Sequence, residues 1–414
     1  MDSCLVMSAR DMKDRVLQSS LADLCACLGM VLVVLSVFRP AYVSLTSLDG
    51  AYNLLDKGVV AGLALYALVR HHRPRAVVVA IWLYCLAAVV SSLVNGDLAQ
   101  WSLLGYMGIA LTAYYFQEQF ESHPRRVLTV AFWLLALLCL ADVASVWLRP
   151  DGLYLDVRVQ DEYYTASLRG WLLGLKNNHI LFFLALVLLS MAKDRYERGT
   201  FRPTLRTLLC LIMTLLTVAK MGSSTSTVVL AVVLLMLIAA PALQKARSVF
   251  NPKVVCVALL VAWVLVVVFS GLSSAGGVLE SVFGKDATLS GRSLAWSETM
   301  QMVGQSPVFG HGNQSVEERT ALLGSVEYVN SHNQLLEVLY AGGALSLAAF
   351  CLVFWCLSRG VTTSQEDYFR AVVIVALGIE MMLEVIAGSS VFWFVVLLAY
   401  YGGRPGGAGG VGRG

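Results

Sequence analysis

A chain of 414 residues that is 58% hydrophobic and only 14% charged cannot be a soluble globular protein, whose charged share is about 25%. A mean hydropathy of +0.72 points to a multi-pass membrane protein. The net charge of +3 follows the distribution of basic residues between spans, which argues against nucleic acid as a partner.

The first 20 residues contain Asp2, Asp11, Lys13 and Asp14 without a cleavable signal pattern, so the first apolar run is expected to be retained. Runs able to cross about 30 Å of hydrocarbon fall near 21–38, 55–70, 75–93, 102–117, 126–147, 171–192, 204–220, 225–243, 253–272, 333–357, 369–386 and 388–402. The pattern predicts an all-α polytopic bundle over 1–401 with about 12 transmembrane helices. With the N-terminus inside, about 20 of the 30 basic residues fall on the cytoplasmic side, as the retention of Lys and Arg there requires. Both termini are then cytoplasmic. Two polar segments lie outside: 149–170, with Tyr154, Tyr163 and Tyr164, and a long external loop at 273–331. The glycine-rich tail at 402–414 lacks the apolar surface to fold and is expected to be disordered. The nine cysteines lie in or beside the spans, so no disulfide framework is expected.

No Walker motif is present, nor any Gly-x-Gly-x-x-Gly run after a strand, so neither nucleotide hydrolysis nor a dinucleotide cofactor is expected. On the external side paired Asp-x-Asp and clustered histidines are missing too, and no metal is expected. An enzyme working on the outer face without ATP needs a substrate that carries its own activation, and a lipid-linked diphosphate is such a substrate. The candidate residues suit that chemistry. His332 stands where the external loop enters the tenth span, and an imidazole titrating near neutrality can accept a proton from an attacking hydroxyl. Glu337 follows roughly 140° around the same helix. Arg292 offers a planar fork of donors that matches phosphate oxygens. Lys176 and Lys220 lie at the outer ends of their spans, where a lysine must snorkel, pair or face a polar cavity. A second reading draws on Asp142, Glu380 and Glu384, carboxylates deep in the spans that could line a transport path or pair with basic residues to hold the bundle together.

Taken as an ordered set, four strings between about 150 and 390 resemble the membrane superfamily of O-antigen ligases and Wzy-type polysaccharide polymerases. Arg169-Gly170 followed by Lys176-Asn177 is similar to a signature of exopolysaccharide polymerases of the ExoQ kind. Ser223-Ser224-Thr225-Ser226 after Lys220 resembles the Ser/Thr segment of such proteins. Gly291-Arg292 with Trp296 and then Pro307 to Gly312 resembles their external loop, and His332-Asn333, nine residues and Gly343 resembles the ligase pattern. The chain departs from that pattern at Lys220, where ligases often carry arginine, and at Ser346.

The resemblance implies a GT-C-like bundle in a bacterial inner membrane and metal-independent, inverting glycosyl transfer at its outer face. The donor would be a polyprenyl-diphosphate-linked oligosaccharide. His332 and Arg292 would be catalytic, and Arg169, Lys176, Asn177, Lys220 and Glu337 would bind substrate. No cofactor is implied; the partners would be membrane lipid and other polysaccharide synthesis and export proteins. The acceptor would be another lipid-linked repeat unit in a polymerase, or lipid A-core in a ligase.

Overall fold

The computed structural model describes residues 9–96, 100–159, 165–270, 292–315, 318–319, 330–361 and 363–403. Most of the expected loop at 273–291 and 316–329, and the tail from 404 onward, lie outside the described residues. The helices are α1 (Ala9–Val37), α2 (Asp49–Val69), α3 (Ala76–Asn95), α4 (Gln100–Ser122), α5 (Pro124–Leu148), α6 (His179–Arg198), α7 (Leu205–Met221), α8 (Ser224–Ile238), α9 (Ala240–Lys245) and α10 (Pro252–Ser270). They continue with α11 (Arg292–Gln305), α12 (Gln334–Leu357), α13 (Ser364–Leu383) and α14 (Ser390–Tyr401).

Among the described residues four helices are long and apolar enough to cross a membrane, α2, α3, α5 and α12, and shorter apolar stretches occur in α1, α8, α10 and α14. This is the composition of a polytopic membrane protein. The helix at the centre is α6: every side chain from His179 to Ala192 is buried, as expected of a helix that is apolar all round. Its neighbour α14 seals the core through Phe394, whose ring meets Phe38 at 5.1 Å and Phe116 at 5.0 Å. By contrast α2 exposes Leu54, Leu65 and Leu68, the outward face of a lipid-embedded bundle.

Two expected spans are redrawn. The run expected at 171–192 begins as a strand and becomes helical only at His179, because 154–175 forms an antiparallel sheet of β1 (Tyr154–Val159), β2 (Thr165–Trp171) and β3 (Gly174–Leu175). Among the described residues the class is therefore helical with one small sheet. Tyr154 pairs with Gly170, and the tyrosine ring occupies the space a side chain at Gly170 would need, with an added Cβ only 2.1 Å from its Cζ. Burial there, with Asp156 nearby, raises the Tyr154 phenol above its ordinary pKa. Tyr42 stacks on the other side at 5.9 Å. The run expected at 225–243 divides at Pro241 into α8 and α9.

At the end of the bundle away from His332, buried Arg370 ties three helices together. It donates to the carbonyls of Leu357 at 2.9 Å and Tyr400 at 3.1 Å, and pairs with Glu366 at 2.6 Å. Those carbonyls belong to the last turns of α12 and α14, whose groups have no partner within their own helices.

Candidate active site

At the other end of the bundle, the start of α12 and the end of α13 place the central pair. Asn333 caps α12: its side chain accepts from Leu336 N at 3.1 Å and from the Trp263 indole at 2.7 Å. The residue before it, His332, has φ +47°, the sole positive φ of a non-glycine among the described residues. Histidine is one of the few side chains enriched in that region, at a cost of roughly 1–3 kcal/mol. The surrounding bonds hold it there. His332 N donates to Asn330 Oδ1 at 2.8 Å, and Ser331 Oγ sits 2.8 Å from the Asn333 carbonyl.

Glu384 faces it from the residue after α13, in extended conformation. The chain beyond is pinned because Gln334 Oε1 accepts from both Ile386 N at 2.6 Å and Ala387 N at 2.7 Å. Glu384 Oε2 lies 3.5 Å from His332 Nδ1, an ion-pair distance rather than a short hydrogen bond. Its other oxygen accepts from Asn177 Nδ2 at 2.7 Å. Asn177 in turn accepts from Ser223 Oγ at 3.0 Å, and Ser223 Oγ is 2.7 Å from Ser226 Oγ. Four separate stretches, 177, 223–226, 332 and 384, thus form one polar chain. The His332 side chain is 32% exposed while that of Glu384 is 12% exposed, so the imidazole is the member that can meet a substrate.

The other expected site residues are placed as follows. Lys176 adjoins Asn177 and is exposed. Lys220 is exposed in the last turn of α7 with its ammonium 5.7 Å from the Trp147 ring, three residues before Ser223. Arg292 opens α11; its side chain lies outside the described residues. Arg169 sits on β2 facing Asp151 at 3.6 Å, both well exposed, away from the polar chain. Glu337 is held by the Arg319 guanidinium through both oxygens and also accepts from Ser331 N and Ser331 Oγ, each at 2.9 Å. The Arg319 guanidinium also lies 4.3 Å from the centre of the Tyr340 ring. Glu337 therefore braces the turn that presents His332.

A second buried pair supports the Asn177 turn. Asp142 on α5 is fully buried; its Oδ1 accepts from Leu173 N at 3.0 Å and lies 3.2 Å from His179 Nε2. His179 Nδ1 is 2.9 Å from the Leu175 carbonyl. Asp142 and His179 thus fasten both sides of 173–178, the turn that carries Lys176 and Asn177.

The helix following His332 is interrupted. Gly343 has φ +62° inside α12, and the turn at 307–312 fills the break. Ala344 N and Leu345 N, which would bond Tyr340 O and Ala341 O in a continuous helix, bond Pro307 O at 2.8 Å and Val308 O at 3.3 Å instead. The displaced carbonyls accept from His311 N at 2.9 Å and Gly312 N at 2.8 Å. Ser91 on α3 adds a hydroxyl 2.7 Å from Ala341 O. The four backbone groups displaced by the break are thereby satisfied, as a low-dielectric setting demands. Glycine is required on both sides: a Cβ at Gly343 would lie 2.2 Å from Val308 O, and one at Gly310 would lie 2.5 Å from Tyr340 O.

Residues 208–351 match the family model Wzy_C, described as O-antigen ligase. That match, over about a third of the chain, supports membership of the Wzy/WaaL superfamily. No curated protein and no solved structure matches it. The Wzy_C match takes in Lys220, the serine turn, Arg292, the 307–312 turn, His332 and Gly343, whereas Asn177 and Glu384 lie outside it. The sequence leaves Glu384 open between a transport path and an ion pair within the bundle, and it singles out neither Arg319 nor His179. A carboxylate just past a helix end is the one local sign that Glu384 belongs to a site. Arg319 and His179 are single residues with no motif around them. The match suggests a polysaccharide polymerase or ligase of the Wzy/WaaL type.

Proposed function

We propose that this protein is an exopolysaccharide polymerase that transfers a polyprenyl-diphosphate-linked glycan onto another lipid-linked repeat unit at the outer face of a bacterial inner membrane. The bundle crosses the bilayer about 12 times with both termini cytoplasmic, and the polymer passes to export proteins. The observation that carries the reading is the His332–Glu384 pair. A carboxylate on Nδ1 stabilises the imidazolium that forms when Nε2 takes a proton, the division of labour seen wherever a histidine base is oriented by an acid. Among the described residues Nε2 has no partner, so it is open to an acceptor hydroxyl.

Lys176 and Lys220, exposed beside Asn177 and Ser223, suit the diphosphate that departs, and Arg292 at the start of α11 is the third cation of the set. Developing charge on that leaving group is offset by fixed cations without a metal. Attack from the side opposite the diphosphate inverts the anomeric centre. Glu337 and Arg169 take a supporting place: Glu337 braces the His332 turn, and Arg169 belongs to the sheet edge. A second reading, O-antigen ligase with lipid A-core as acceptor, is favoured by the description of the matching family.

Complementation of a strain lacking the protein separates these readings. Wild type, His332→Ala and Glu384→Gln are compared at matched membrane abundance, with surface glycan and lipid-linked glycan sized on gels. Accumulated single lipid-linked repeats with loss of high-mass polymer support the polymerase. Full-length lipid-linked polymer left unattached supports the ligase. Wild-type behaviour of both variants overturns the site.

A further inference from the structure

An apolar groove of about 590 Å³ runs along the outside of the bundle between α10 and α12, with α13 as its floor. Leu260, Leu352 and Trp355 on its walls are more than a third exposed. One end is closed near the active site, where Trp263 donates to Asn333 at 2.7 Å and Asn333 Nδ2 donates to Met382 O at 3.2 Å. The other end opens beside Lys253, Ser358 and Trp355. Arg359, next in the chain, holds its guanidinium 4.1 Å from the centre of the Trp355 ring.

The charge balance at that open end is lopsided. Its carboxylates are already engaged, Asp367 by Arg247 and Glu366 by Arg370. Lys253 and Arg359 are exposed and have no carboxylate partner among the described residues. From Lys253 to Trp263 the groove follows α10 for about 15 Å at about 1.5 Å per residue, which is half of a hydrocarbon core of about 30 Å. The trough is one leaflet deep, with two unspent cations at its mouth.

We propose that this groove binds an anionic membrane phospholipid, its acyl chain lying between α10 and α12 and its phosphate held by Lys253 and Arg359. The inference needs the chain to span a bilayer but does not depend on the reaction proposed above. The charge requirement separates this ligand from a diphosphate-linked donor: a donor must present its phosphates at His332, at the closed end, whereas the free cations stand at the opposite mouth. Basic pockets between membrane helices select anionic headgroups for the same electrostatic reason.

The test uses the full chain reconstituted in vesicles of phosphatidylcholine with added brominated phosphatidylglycerol or brominated phosphatidylcholine. Quenching of the Trp355 signal, taken as the difference from Trp355→Phe, reports the lipid in the groove. The ratio of the two quenching strengths is compared within each protein, so changes in intrinsic brightness cancel. Wild type is expected to favour the phosphatidylglycerol roughly tenfold, from two cations near the headgroup, and Lys253→Gln/Arg359→Gln is expected to bring the ratio near unity. Cys351→Trp, which fills the trough and keeps both cations, is expected to reduce quenching by either lipid. Equal quenching by the two lipids in wild type, or a preference that survives loss of both cations, overturns the proposal. Displacement of the brominated lipid by polyprenyl diphosphate also overturns it, by assigning the groove to the donor.

Discussion

Glu384 faces His332 across 3.5 Å although 52 residues separate them in the chain. His332 precedes the cap of α12 and Glu384 is the residue after α13, so the pair exists only where α12 begins and α13 ends side by side. Removing either partner is expected to lower glycan transfer by about 10²–10⁴-fold, the range for a positioned acid–base group. Because the two act as a unit, His332→Ala/Glu384→Gln is expected to cost little more than either single change. Rates from purified protein on a lipid-linked donor, at equal folded fraction, check this.

The Arg319–Glu337 pair is expected to answer through stability. Arg319 is 6% exposed, and Arg319→Met leaves the Glu337 carboxylate partly buried without its cation. A loss of about 3–5 kcal/mol is expected for breaking such a pair, read as a lower melting temperature in detergent. Arg319→Met/Glu337→Leu is expected to recover part of it, because the stranded charge is then gone.

Gly343→Ala combines a positive φ with a Cβ 2.2 Å from Val308 O. The expected cost is on the order of 3 kcal/mol or more, visible as loss of the monodisperse peak in size-exclusion chromatography. Gly304→Ala is the control. That glycine is exposed in α11 with nothing within 4 Å of an added Cβ, and the change is expected to be neutral or to stabilise by up to about 1 kcal/mol.

Asp142→Ala strands the amide of Leu173, for an expected loss of about 1–3 kcal/mol. It also loosens the turn bearing Lys176 and Asn177, so KM for the donor is expected to rise at a temperature where the variant is still folded. Asp142→Asn keeps an oxygen in place and is expected to restore most of the folded fraction. Titrating donor against both variants checks the split.

The sequence reveals the helical bundle because long apolar runs have one solution in lipid, and α1 to α5 and α10 fall close to where those runs lie. The 154–175 sheet was not legible, since Trp171 to Leu175 is apolar enough to pass for the first turn of a helix. The break at Gly343 could be suspected from a Gly-Gly pair, but the turn that fills it comes from 307–312, and no local pattern links the two. His332 and Asn177 were legible as polar residues at the ends of apolar runs. What joins them, Glu384, was not, because a carboxylate near a helix end looks the same whether it lines a path or orients a base.

The splice at the middle of α12 has an evolutionary consequence. Its helical ladder is completed by carbonyls and amides from 307–312, so neither segment has a self-sufficient backbone. A chimera that borrows the 307–312 turn from a relative must borrow 340–345 along with it, and the two stretches must be inherited as one cassette.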